Sequence, residues 1–152
     1  MTDLAHGTVV VDRHYPHPPT AVFAAYSDIE QRSAWSAPSD AEELVFDSHD
    51  FRIGGADEFR CGLKGNLVFA GTTRYEQIVD GSLIVFTETV SMNGDLRAVS
   101  LVTWHVEADG DGSKLTITDQ VTSFGGPDEI EGHRAGYTGI LDQLDRFLST
   151  SR

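Results

Sequence analysis

The sequence predicts an α+β fold: a curved antiparallel sheet of about seven strands, two short helices and one long C-terminal helix, in a single domain covering residues 1–152. Three observations predict it. Six strand-like runs follow Pro38 with only short turn signals between them. Neighbours joined so briefly are antiparallel, because parallel pairs need long crossovers. A further β-branched run, Val9-Val10-Val11, stands ahead of them. The chain then closes on an amphipathic stretch from Asp128 to Thr150, whose apolar stripe has to be buried against the sheet.

The elements follow in order. Thr8 to His14 reads as the first strand, stopped by Pro16, Pro18 and Pro19. The last two prolines sit where helices begin, ahead of Thr20 to Ser27, whose Val22, Phe23 and Tyr26 fall at helical spacing. A second short helix is expected from Glu30 to Trp35. This pair would close one end of the curved sheet. Strands are then expected at Glu42 to Ser48, Ala56 to Cys61, Leu67 to Gln77, Leu83 to Val90, Ala98 to Glu107 and Lys114 to Thr122. Gly54-Gly55, Gly62 to Gly65, Asp80-Gly81, Asn93-Gly94 and Asp109 to Gly112 mark the turns between them. There is no internal repeat and no low-complexity tract.

In the terminal helix, Ile130, His133, Tyr137, Ile140, Leu141, Leu144, Phe147 and Leu148 share one side. Glu131, Thr138, Asp142, Asp145 and Arg146 share the other. Gly125-Gly126-Pro127 bars an earlier start, and Asp128 with Glu131 forms a variant of the capping box. Gly132, Gly136 and Gly139 lie with Ala135 along one flank, each glycine costing the helix up to about 1 kcal/mol. Two readings offset that cost: close approach of the helix to strand backbone, or room for a ligand or a kink.

Charge and composition exclude several functions. The chain has 11 basic and 24 acidic residues, a formal net charge of -13, which repels nucleic-acid backbones and anionic membranes. Solubility accounts for the excess acid, with docking of a basic protein partner as the alternative. No apolar run reaches membrane-spanning length and no leader stands at Met1, so a cytoplasmic protein is expected. The single cysteine, Cys61, fits a reducing compartment and reads as a small apolar residue, not a nucleophile. His14 and His17 lack metal-ligand spacing with further partners, so neither metal nor cofactor is expected. Arg52-Ile53-Gly54-Gly55 lacks the phosphate-loop pattern and reads as a tight turn or bulge. No serine stands in a nucleophile-elbow context.

Alternation along the strands gives a candidate interior. Val102, Trp104 and Val106 share a face of the sixth strand, and Phe69, Gly71, Thr73 and Tyr75 a face of the fourth. In the fifth, Ile84, Phe86 and Glu88 oppose Val85, Thr87 and Thr89. If Phe86 points inward, Glu88 does too, where an unpaired carboxylate would be costly and its pKa would rise. With Trp35, Phe59, Tyr137 and Leu141, the aromatic residues Phe69, Tyr75, Phe86 and Trp104 line either a ligand cavity or a filled core. His133 projects from the apolar side of the helix one turn before Tyr137. With Glu88 or a tyrosine hydroxyl it would hold a polar group of a ligand, or act as acid/base in a ring closure. The plainer alternative is a rim histidine bonded to a neighbour or water.

Arg52-Ile53-Gly54-Gly55 followed by Phe59, Ser27-Asp28-Ile29-Glu30 leading to Trp35, and Lys114 to Thr118 after a glycine-rich turn together form a pattern. It resembles the activator of heat shock protein 90 ATPase homologue-like family, within the START-like (SRPBCC) superfamily. The resemblance covers essentially the whole chain. Tyr137, after Gly136, stands where the family commonly has tryptophan, and Trp35 is single where many members carry two adjacent aromatics. The resemblance implies a helix-grip fold with an internal cavity between sheet and long helix; it implies no single activity. Superfamily relatives include lipid and hormone carriers as well as polyketide cyclases and aromatases.

Three functions compete. The first is a module binding a small apolar or aromatic molecule between sheet and helix. A cyclase- or aromatase-type enzyme with His133 and Glu88 as proton-transfer groups is the second, and a chaperone- or protein-binding domain using an acidic face is the third.

Overall fold

The computed structural model describes residues 3–150. Strand β1 (Ala5–Tyr15) leads into helices α1 (Pro19–Ser27) and α2 (Ile29–Trp35). Six strands follow: β2 (Glu42–Ser48), β3 (Ala56–Leu63), β4 (Asn66–Val79), β5 (Leu83–Met92), β6 (Asp95–Asp109) and β7 (Gly112–Ser123), then helix α3 (Pro127–Thr150). Every expected element is present. β2 begins and ends where the sequence put it, whereas the strands after it run two to five residues longer, because hairpin pairing continues up to each glycine turn.

One seven-stranded antiparallel sheet has the order β1-β7-β6-β5-β4-β3-β2. The meander from β2 to β7 follows from the short turns; the pairing of β1 with β7 does not, since those strands are far apart in sequence. Register shifts between Phe46 and Ser48, Cys61 and Leu63, and Tyr75 and Gln77 mark bulges in β2, β3 and β4, which bend that half of the sheet. At Arg52 to Gly55 the expected tight turn forms, with Gly54 at φ 83° and backbone hydrogen bonds from Gly54 N–H to Tyr75 and from Tyr75 N–H to Gly55.

Helix α3 packs mainly along β1, and its buried residues Leu141, Leu144 and Leu148 join Val102, Leu115 and Ile117 in the core. Tyr15 of β1 donates to the Leu141 carbonyl at 2.9 Å, fixing the register of strand and helix. Helices α1 and α2 bridge the two halves of the molecule, α1 packing on β6 and β7 and α2 reaching β2 and α3.

Two expectations about α3 need correction. The helix starts at Pro127, so the Gly126 carbonyl accepts from Glu129 N–H, and Glu131 lies against Arg134 at 3.6 Å; the Asp128 capping box does not form among the described residues. Nor do the glycines press against strands. A Cβ on Gly139 would lie 2.5 Å from the Pro38 carbonyl oxygen, in the connection between α2 and β2, whereas one on Gly132 or Gly136 would meet nothing within 4 Å. Gly139 is there for close approach; the other two face open space.

Candidate functional site

The open space is a hollow of about 460 Å³ between the concave face of the sheet and the N-terminal half of α3, bordered by Gly132 and Gly136. The exposed Glu43 and Gly132 lie on its rim. Strand alternation supplies its floor. Trp104 of β6, Phe86 of β5, Phe69 of β4 and Phe59 of β3 all point inward and line it, and Trp35 closes it from α2. The ring of Phe59 lies over Gly71 of β4, where a Cβ would come within 2.2 Å of it, so the glycine makes room for the aromatic. His133 and Tyr137 line the hollow from α3. Tyr75 and Leu141 do not. Tyr75 is wholly buried, its hydroxyl committed to a hydrogen-bond network, and Leu141 is packed against β1.

Glu88 lies on the hollow side with Phe86, because the period-two alternation of β5 carries it there. One carboxylate oxygen accepts from the Thr73 hydroxyl at 2.7 Å. Burial pushes its pKa up to about 7; the Thr73 hydrogen bond opposes this and the charge of Asp119 adds to it.

His133 is hydrogen-bonded to a residue that alternation along β7 also turns inward, between Ile117 and Val121. Asp119, with no exposed side chain, lies 2.8 Å from His133 Nδ1 and accepts from the Tyr137 hydroxyl at 3.2 Å. The hydrogen bond to Asp119 raises the histidine's pKa above 6.5, against the opposing effect of burial. This is the plainer of the two arrangements expected for His133, a rim histidine bonded to a neighbour, and the neighbour is a carboxylate that the sequence reading did not name. Asp119 was findable: a carboxylate at an inward position of a strand is costly unless paired.

A second buried polar network borders the hollow at α2. Arg32, 5% exposed, donates to Asp57 of β3 at 2.6 Å and to the Tyr75 hydroxyl at 2.7 Å. The Tyr75 hydroxyl also donates to Asp57 and lies 3.1 Å from the Tyr26 hydroxyl. The guanidinium is sandwiched 4.5 Å above the Tyr26 ring and 4.3 Å from that of Phe46. These residues are far apart in sequence, and no local motif marks them. At the opposite side Arg97 of β6 holds Glu129 of α3 at 2.8 Å, and Glu129 also accepts from Ser123, clamping the start of α3 to the sheet. Cys61 also lines the hollow, and burial raises its thiol pKa to about 11, with Glu88 and Glu42 adding to it. At neutral pH it is a thiol and a poor nucleophile. No group of three or more His, Cys, Asp or Glu among the described residues is arranged to hold a metal ion. No helix among them is long and apolar enough to cross a membrane.

The order of elements, the sheet topology and the long closing helix are those of a helix-grip fold, and a family model described as Activator of Hsp90 ATPase homolog 1-like protein matches residues 16–149. The chain belongs to that family. None of the curated proteins compared with this family member matches it. Among solved structures, an uncharacterized protein from Rhizobium leguminosarum is similar at 28% identity and a TM-score of 0.90, with 99% of each chain covered. The Mll3558 protein from Rhizobium loti is similar at 30% identity and a TM-score of 0.83, over 95% of this chain and 99% of that one. Protein CV1439 from Chromobacterium violaceum, at 23% identity and a TM-score of 0.83 over 95% and 98% of the two chains, shares the fold. The Activator of Hsp90 ATPase homolog 1-like fold thus accounts for the position of the hollow: α3 rests along β1 and leaves the far half of the concave sheet face uncovered.

Proposed function

We propose that this protein binds a small apolar or aromatic molecule in the hollow between its sheet and α3. One observation carries the reading: a space of about 460 Å³ bounded by Trp35, Phe59, Phe69, Phe86 and Trp104, with a few polar groups at fixed points. Small-molecule sites are commonly apolar clefts of roughly 300–1,000 Å³ with a small number of placed polar groups. A core that existed only for stability would fill such a volume, since voids cost packing energy. Gly132 and Gly136 are consistent with this, since side chains there would extend into the hollow.

Native mass spectrometry of gently purified protein, followed by thermal-shift screening against apolar and aromatic compounds, tests the reading. The expected result is at least one compound that raises Tm and shields Cys61 from alkylation in the folded protein. No shift with any compound and unchanged Cys61 labelling throughout would sink it.

A second reading is favoured by the buried carboxylate behind His133. A histidine oriented through Nδ1 and a carboxyl group with a pKa near neutrality are the parts of an acid/base pair. In an enzyme of the cyclase or aromatase kind, His133→Ala and Glu88→Gln would each abolish turnover of a bound ligand while leaving its binding measurable. Turnover unchanged in both variants would remove this reading.

A further inference from the structure

We propose that the ligand carries a neutral hydroxyl, phenolic or enolic, on its apolar body, and that Asp119 is the positioning residue that makes His133 the donor to that oxygen. This rests on the binding reading above.

The hydrogen-bonding valences left free at the hollow set the chemistry of its ligand. Most charged groups bordering the hollow are already matched: Arg32 with Asp57 and Tyr75, Arg97 with Glu129. Two kinds of unpartnered side-chain polar atom matter at the hollow. Arg32 Nε, Trp104 Nε1 and Asp119 Oδ1 are covered by protein. His133 Nε2 and the second oxygen of Glu88 have no hydrogen-bond partner and belong to partly exposed side chains that line it.

Asp119 decides what His133 offers. Its carboxylate, with the Tyr137 hydroxyl donating to the same oxygen, holds the proton on Nδ1 and fixes the ring. The Asp119 hydrogen bond, with the charges of Asp119, Glu88 and Glu129 and against burial, shifts the ring toward the charged imidazole, the form in which Nε2 also bears a hydrogen and offers it to the hollow. Glu88, close enough for its charge to act on His133, supplies the acceptor in its ionised form.

The group that both accepts from one and donates to the other through a single oxygen is a hydroxyl. A hydrocarbon would strip water from both groups and return nothing. An anion would enter a rim and wall that already hold Glu42, Glu43, Glu88 and Glu129, with Arg32, Arg97 and His133 each already paired with a carboxylate.

Three probes with one ring system separate these cases: 2-naphthol, naphthalene and 2-naphthoate, titrated at neutral pH by calorimetry or tryptophan fluorescence. The expected result is 2-naphthol bound about tenfold or more tighter than naphthalene, with 2-naphthoate weakest. In His133→Ala the ratio of naphthol to naphthalene affinity falls to about one while naphthalene still binds, which also reports that the hollow is intact. Asp119→Asn lowers the ratio several-fold and lowers the His133 imidazole titration followed by NMR, a readout that a purely structural role would not move. Equal affinities in the native protein, a preference for naphthoate, or a ratio unchanged in His133→Ala overturns the inference while leaving the binding reading intact. Failure of all three probes to bind, naphthalene included, counts against both.

Discussion

Asp119 of β7, with none of its side chain exposed, holds His133 of α3 through Nδ1 at 2.8 Å, so a buried carboxylate on the sheet fixes a half-buried imidazole at the edge of the hollow. The pair ties helix to sheet at the end where α3 leaves the apolar core.

This pair makes stability depend on pH. The folded-state pKa of His133 is raised above its ordinary 6.5. The contribution is therefore fully present below that ordinary value and is lost as pH rises through the raised one. Asp119→Asn is expected to remove most of this dependence and to lower the His133 pKa, both measurable by NMR titration and by thermal melts at several pH values.

Glu88 acts with the opposite sign of shift for a carboxyl group. Its pKa rises from 4.5 to about 7, so between those values the folded state keeps a proton that the unfolded chain releases. Stability falls across that interval, by on the order of 3 kcal/mol for a shift of this size, and stays low above it. Glu88→Gln keeps an acceptor for Thr73 and removes the ionisation. Its Tm should exceed that of the native protein at pH 8 and approach it at pH 5; equal melting curves at both values would contradict the assignment.

The Arg32–Asp57 pair stabilises only as a pair. Arg32→Met leaves Asp57, 1% exposed, without its cation, at an expected cost of about 3–5 kcal/mol. Asp57→Leu strands the guanidinium at similar cost. The double variant should recover much of the loss, because two apolar side chains need no mutual compensation. Chemical denaturation of the four proteins forms the cycle that checks this.

Three glycines of one helix should respond differently to alanine. At Gly139 a Cβ would come within 2.5 Å of the Pro38 carbonyl, so Gly139→Ala is expected to destabilise by about 1–3 kcal/mol. At Gly132 and Gly136 nothing lies within 4 Å, so alanine should stabilise α3 by up to about 1 kcal/mol through helix propensity alone. Gly136→Leu would extend a side chain into the hollow. It should weaken ligand binding without lowering Tm.

Cys61 should resist alkylation. With burial raising its thiol pKa to about 11, iodoacetamide at pH 8 is expected to label the native protein far more slowly than the denatured one.

The sequence by itself determined the elements and the faces they show. Glycine turns set the meander, since each pair of strands is joined too briefly to be anything but antiparallel. The period of two placed Trp104, Phe86 and Glu88 on the concave side, and the period of 3.6 aligned His133 with Leu141 and Leu144 on α3. The family pattern, carried by the order of several weak motifs, was legible for the same local reason. Only the tertiary structure decided what those faces meet. The pairing of β1 with β7, the junction of Asp119 with His133 and the assembly of Arg32, Asp57 and Tyr75 join residues with no local relation. Whether the aromatic face is filled or hollow depends on where α3 lies across the sheet. That position is fixed by long-range packing along β1 and by the Gly139 contact with Pro38, which periodicity alone does not encode.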